Sequence, residues 1–222
     1  MNKSIRVTDI HHTPRYPNEP YLQYFRCGSG KTVYKTKDDP VTGIFPYRGT
    51  YLIDDRPITR AVVGEMARDI VLCQGFEGHI ITFQGGARFP QTGYVDSEKL
   101  RKQHKQWVLG HFLTTLGLDS IFATRTCELK LWHYGKMDIG YTMAGKTFTG
   151  MGEQVTVVEG SMHFTFYVPN GAQEDTIEQV VNAGQAIYIP GGIRKVTRPL
   201  TVPVRGANLR WPSHSGINKV HQ

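Results

Sequence analysis

Apolar and polar residues along this chain follow two different periods, and the change between them divides it. From residue 121 onward short runs alternate with a period of two, at 127–134, 146–148, 154–158, 163–168, 176–181, 186–189, 195–197 and 202–210. Glycine, proline and an Asn170-Gly171 pair separate them. Successive side chains of a strand point to opposite faces, so such runs predict strands with one buried face. Strands at this spacing indicate a jelly-roll-type barrel. Earlier in the chain, residues 21–27 and 31–36 alternate around Gly28-Ser29-Gly30, which reads as a hairpin turn. Residues 41–54 read as a strand pair punctuated by Gly43 and Gly49, and 79–83 as a short apolar strand.

Two stretches carry a helical period instead. Thr59 is placed to cap a helix over 60–73, with Val62, Val63, Met66, Ile70 and Val71 along it and Gly75 as its stop. Ser97 is placed to cap a second, over 97–116, whose stripe holds His104 and His111 two turns apart, too far for one metal. The expected fold class is therefore mainly β with an α+β N-terminal portion, a barrel accompanied by two helices. The expected divisions are an extended arm over 1–20, marked by Pro14, Pro17 and Pro20, an α+β elaboration over 21–120, a barrel over 121–212 and a tail over 213–222.

Within the barrel region, two glycine-anchored segments have a defined layout. Gly140 is followed after five residues by Lys146, then Phe148, then Glu153 after four more, then Gly160 after six. Gly184 is followed after five residues by Pro190-Gly191-Gly192, and then by Lys195. This layout resembles the two motifs of the cupin family over roughly residues 125–212. The first of those motifs carries His-x-His and a glutamate and the second a histidine. Laid on this chain, the histidines fall on Lys146, Phe148 and Lys195, and the glutamate on Glu153. The resemblance implies a cupin-like barrel in which these residues project toward one point. Three of its four ligand positions are replaced by residues that supply no donor to a divalent ion, so no metal and no cofactor is expected.

Two lysines and a carboxylate in one barrel give a different chemistry. Glu153 neutralises one lysine, and the other is matched by a ligand carboxylate or phosphate. A lysine beside another cation also has a lowered pKa, which suits a general base or an imine-forming nucleophile. The candidate catalytic residues are Glu153, Lys146, Lys195 and His163, the last as an acid/base partner to Glu153 or else an ordinary strand histidine. Phe148, Arg194, Arg210, Tyr188 and Trp132 are candidate ligand-binding residues, the arginines as an anion-binding rim and the aromatics as pocket walls or core. A metal set of His133, His163 and Glu153 has no supporting ligand spacing.

Charge adds a partner class. A formal net charge of +7 over 222 residues favours anionic partners, but the basic residues are spread out and the dense basic run is confined to 99–105, so nucleic acid is not expected. Gly28-Ser29-Gly30-Lys31-Thr32 resembles the end of a phosphate-binding loop, yet the first glycine that motif requires falls on Phe25 and no helix signal follows Thr32. Three separated cysteines suggest a reducing compartment, and no apolar run is long enough for a membrane span, so a cytoplasmic protein, paired as a homodimer through its arm, is expected. Three function classes follow: a metal-independent enzyme moving protons on a small anionic or oxygen-rich molecule (isomerase, epimerase, lyase or cyclase type), a noncatalytic barrel that holds an anion or supports assembly, and, least favoured, a metal-dependent dioxygenase.

Overall fold

The computed structural model describes residues 5–10, 19–34, 41–66, 69–83, 94–95, 117–123, 127–135, 142–146 and 152–211. Four antiparallel sheets make up the described residues. The largest has seven strands in the order β1 (Arg6–Asp9), β17 (Gln185–Ile189), β14 (Gly152–Glu159), β19 (Val204–Trp211), β12 (Glu128–Tyr134), β11 (Gly117–Ala123) and β10 (Tyr94–Val95). A four-stranded sheet of β13 (Met143–Lys146), β18 (Arg194–Pro199), β15 (Ser161–Asn170) and β16 (Gln173–Asn182) covers one of its faces. A third sheet, β2 (Pro20–Arg26), β9 (Glu77–Phe83), β4 (Val41–Arg48) and β7 (Val62–Met66), covers the other. The fourth, β3 (Thr32–Tyr34), β8 (Ile70–Leu72), β5 (Tyr51–Ile53) and β6 (Arg56–Ile58), packs on the far side of the third.

A core lies between each neighbouring pair of sheets, and strand alternation decides which residue enters which core. In β14, Val155 and Val157 point into the C-terminal barrel with Trp132, Tyr134, Phe164, Phe166, Ile187 and Ile189. The same sheet turns Leu129, Leu131, Tyr188, Leu209 and Trp211 the other way, onto Leu22, Tyr24, Phe45, Tyr47 and Ile81 of the third sheet. Ile44 and Ile80 leave the opposite face of that sheet to meet Tyr51, Ile70, Leu72 and Phe76. Gln154 fastens the seam between the two halves, since its side-chain amide donates to Leu22 O at 2.7 Å and accepts from Leu22 N at 3.0 Å. Burying an aliphatic or aromatic side chain is worth about 1.5–3 kcal/mol, so three such cores carry the fold.

The N-terminal half differs from the α+β expectation: no helix occurs among its described residues, and it is a second sandwich of two sheets. Where the helical period was read over 60–73, the chain forms β7 and β8, which belong to different sheets. Val62, Val63, Ile70 and Val71 are β-branched and suit strands, and their spacing matched a helical period only because the chain changes sheets between them. The expected helix over 97–116 lies outside the described residues. Gly28-Ser29-Gly30 is not a hairpin turn, because β2 and β3 lie in different sheets. The strands at 41–48 and 51–53 exist but are not paired with each other. Between them Gly49, at φ +78, sits so close to Gly75 that a Cβ would lie 2.6 Å from the Gly75 carbonyl oxygen. Part of the expected arm is an edge strand of the chain's own barrel, with Arg6 to Asp9 paired to Tyr188 to Gln185.

The barrel strands from 127 onward stand where alternation put them, except that in place of the one expected at 146–148 the chain has β13 over Met143–Lys146, with 147 and 148 outside the described residues. Gly160, Gly184 and Gly192 take left-handed conformations, with φ values of 77, 82 and 86°, where the chain turns between strands. Gly140 lies outside the described residues.

Candidate functional site

Inside the C-terminal barrel the apolar filling gives way at one level to charge. Period-two phasing from Val155 brings Glu153 inward on β14, and the same phase brings Asn208 and Arg210 inward on β19 and Glu128 and Lys130 inward on β12. Glu128, Arg210 and Glu153 form one cross-strand row, because Arg210 pairs with both glutamates in register. Lys195 enters from the opposing sheet, on β18.

Glu153 is the hub of this layer and is 1% exposed. Lys195 Nζ donates to its Oε2. Asn208 Nδ2 donates to its Oε1 at 2.6 Å, and Arg210 Nε and Nη2 donate to the same oxygen at 3.2 Å. Lys130 forms an ion pair with Glu128 at 3.5 Å. Solvent reaches the layer through Arg210, whose side chain is 25% exposed, and through Lys130.

The electrostatics of the pair are asymmetric. Burial pushes the Glu153 pKa up, but the charges of Lys195 and Arg210 outweigh it and hold the carboxyl down at about 2. Lys195 is lowered, first by burial and then by Arg210, with Glu153 opposing both. Arg210 supports the carboxylate and opposes the ammonium, so Lys195 is the member whose charge is more easily lost.

These residues do not fit a divalent metal. An ammonium and a guanidinium occupy the oxygens of Glu153 that a metal would need, and both repel a cation.

Of the residues expected at the site, the structure brings Glu153, Lys195 and Arg210 together and places Trp132 on the same interior. His163 is on the outer face of its sheet, 3.8 Å from Glu178, and is no partner for Glu153. Phe164 and Met162 hold the inward phase of β15, which forces His163 outward. Arg194 likewise faces outward, paired with Glu174 at 2.6 Å and stacked over Tyr167 at 3.8 Å. Tyr188 faces the seam, packed on Trp211 and donating to Glu19 at 3.3 Å. The backbone of Lys146 pairs with Arg194 in register, while its side chain and all of Phe148 lie outside the described residues. Asn208, Glu128 and Lys130 were missed, although extending the phase of Arg210 by two residues reaches Asn208 and that of Trp132 by two and four reaches Lys130 and Glu128.

A second polar cluster lies at the seam between the halves. His79 is fully buried, with Nε2 3.2 Å from Thr156 Oγ1 and Nδ1 against the Tyr47 hydroxyl. Thr156 donates its own proton to Ala207 O at 3.3 Å, so His79 Nε2 carries the hydrogen and Nδ1 accepts from Tyr47. Burial holds His79 neutral, with a pKa lowered to about 3. Beside it, Tyr24 donates to Glu77 at 2.6 Å.

Against solved structures, the chain is similar to a vicilin from Solanum melongena, with a TM-score of 0.56 at 9% identity over 88% of this chain and 75% of that one. It is also similar to oxalate decarboxylase from B. subtilis, with a TM-score of 0.51 at 8% identity over 94% of this chain and 72% of that one. No family model matches the chain, and no curated protein does. The likeness extends over both sandwiches, and the chain has the cupin fold. Among the described residues no helix is long and apolar enough to cross a membrane.

Proposed function

We propose that the C-terminal barrel binds a small anion against Lys195 and Arg210, with Glu153 as their buried counter-ion. The observation that carries this reading is the charge of the layer, where, among the described residues, three cations, Lys130, Lys195 and Arg210, meet two carboxylates, Glu128 and Glu153. A buried cation without a matching charge is costly, and an anion bound at the layer supplies the match. The vicilin neighbour is described as carrying different anionic ligands in structurally similar pockets, which supports the reading at the level of the fold.

Binding is favoured over proton abstraction by Glu153. A carboxylate held near pKa 2 by two cations is a weak base, and its oxygens already accept from three side chains. A second reading has one observation in its favour: the lowered pKa of Lys195 suits a general base acting on a bound anion, which is the isomerase or lyase type of chemistry at the same site.

Titration calorimetry with acetate and with inorganic phosphate tests the proposal, on the wild-type chain and on Arg210→Gln. Losing a charged hydrogen-bonding partner costs about 1.5–3 kcal/mol, so saturable binding should weaken at least about tenfold in the variant. Binding by neither anion, or equal binding to both proteins, refutes it.

A further inference from the structure

The hydrogen-bonding groups that the layer leaves over are of unequal kinds. On the donor side, Lys195 Nζ has three N–H groups and one described acceptor, Glu153 Oε2. Arg210 directs Nε and Nη2 to Glu153, and its Nη1 has no described acceptor. Trp132 Nε1 is buried with no hydrogen-bond partner among the described residues. On the acceptor side, Asn208 Oδ1 is likewise buried with no partner among the described residues. The orientation of that amide follows from its neighbour: Glu153 Oε1, an ionised acceptor, takes a hydrogen bond from Asn208, so nitrogen faces Glu153 and oxygen faces away.

These leftovers lie close together. Lys195, Asn208 and Arg210 all touch the one carboxylate of Glu153, so their remaining groups are gathered around it. The Trp132 indole lies over Gly206, the inward neighbour of Asn208 on β19, where an added Cβ would be 2.4 Å from its Cζ2 and 2.9 Å from its Cε2. Gly206 and Asn208 are register partners of Trp132 and Lys130.

A simple anion satisfies the donors and leaves Asn208 Oδ1 stranded. Buried polar groups in folded proteins are nearly always paired, and an orphaned acceptor beside orphaned donors specifies a ligand that both accepts and donates. Resting on the anion-binding reading, we infer that the barrel is built for a small 2-hydroxycarboxylate, whose carboxylate meets Lys195 and Arg210 and whose hydroxyl donates to Asn208 Oδ1. The Trp132 indole N–H supplies a further donor to the oxygens of the same ligand. The hydroxyl is the specificity element, because a ligand lacking it leaves Asn208 unpaired in a desolvated site.

Calorimetric titration of the full chain with glycolate and with acetate reads this directly, since the two probes differ by the hydroxyl. Glycolate should bind at least about tenfold more tightly than acetate, the factor set by leaving a buried acceptor unsatisfied. In Asn208→Leu, with folding checked by thermal melting, that preference should collapse toward unity. In Trp132→Phe both probes should weaken while the preference remains. Equal affinity of glycolate and acetate for the wild-type chain, with both weakened by Arg210→Gln, overturns the hydroxyl inference and leaves the anion reading standing. Binding of neither probe overturns both.

Discussion

Between the sheets of the N-terminal sandwich lie Ile44, Tyr51, Ile70, Leu72, Phe76 and Ile80, joined on the same strand faces by the neutral Gln23 and Thr82 but, among the described residues, by no buried charged side chain. Between the sheets of the C-terminal one, Val155, Phe164, Phe166 and Ile187 fill part of the space, and Glu128, Glu153, Lys195 and Asn208 fill another part. The two sandwiches share an architecture, so the difference lies in which residue types alternation delivers to the interior. An apolar interior stabilises by area and needs no partner. A charged interior stabilises only when its groups are matched, and groups left over are available to a ligand. That contrast is the reason the proposed anion site is placed in the C-terminal half.

Removing the hub carboxylate should break that contrast most severely. Glu153→Ala leaves the buried Lys195 beside Arg210 without its described counter-ion, and loss of one partner of a buried pair costs about 3–5 kcal/mol. Urea unfolding should show that loss, and added acetate should restore part of the stability by replacing the missing charge. A loss below about 1 kcal/mol, the worth of an exposed pair, would mean that the layer is a solvated surface cluster and the contrast is wrong.

Acid should weaken the seam before it weakens the layer. His79 and Glu153 both have folded-state pKa values below their ordinary values, so the contribution of each is complete above the ordinary value and is lost as pH falls toward the folded one. For His79 that window runs from 6.5 down to about 3, and for Glu153 from 4.5 down to about 2. Between pH 7 and pH 5 the His79 contribution alone should lower stability by about 2 kcal/mol. The decline should be smaller by that amount in His79→Gln, and an undiminished decline there would remove His79 as the cause.

Much of the barrel was legible from residue 127 onward, because one face of each strand is buried and period-two alternation is then enforced. Glu153 and Lys195 were legible through motif spacing, and the structure joins them. His163, Arg194 and Tyr188 were misplaced because proximity in sequence was used where strand phase decides: each lies in or beside a motif segment but on a face turned away from the barrel interior. Asn208 shows the opposite error, since an asparagine between apolar neighbours carries no motif, yet its phase is that of Arg210. The N-terminal half was read poorly for a related reason. Its strands are as short as three residues and alternate between two sheets, so Val62 to Val71 presents a spacing that no single element owns.

A crystal structure of the full chain grown with saturating glycolate tests the assignment of chemistry to the C-terminal barrel most directly. The account predicts the ligand between Lys195 and Arg210, its hydroxyl within hydrogen-bond distance of Asn208 Oδ1, and none between the sheets of the N-terminal sandwich. Glycolate bound in the N-terminal sandwich, or only on the outer surface, with the Glu153 layer unchanged, would contradict it.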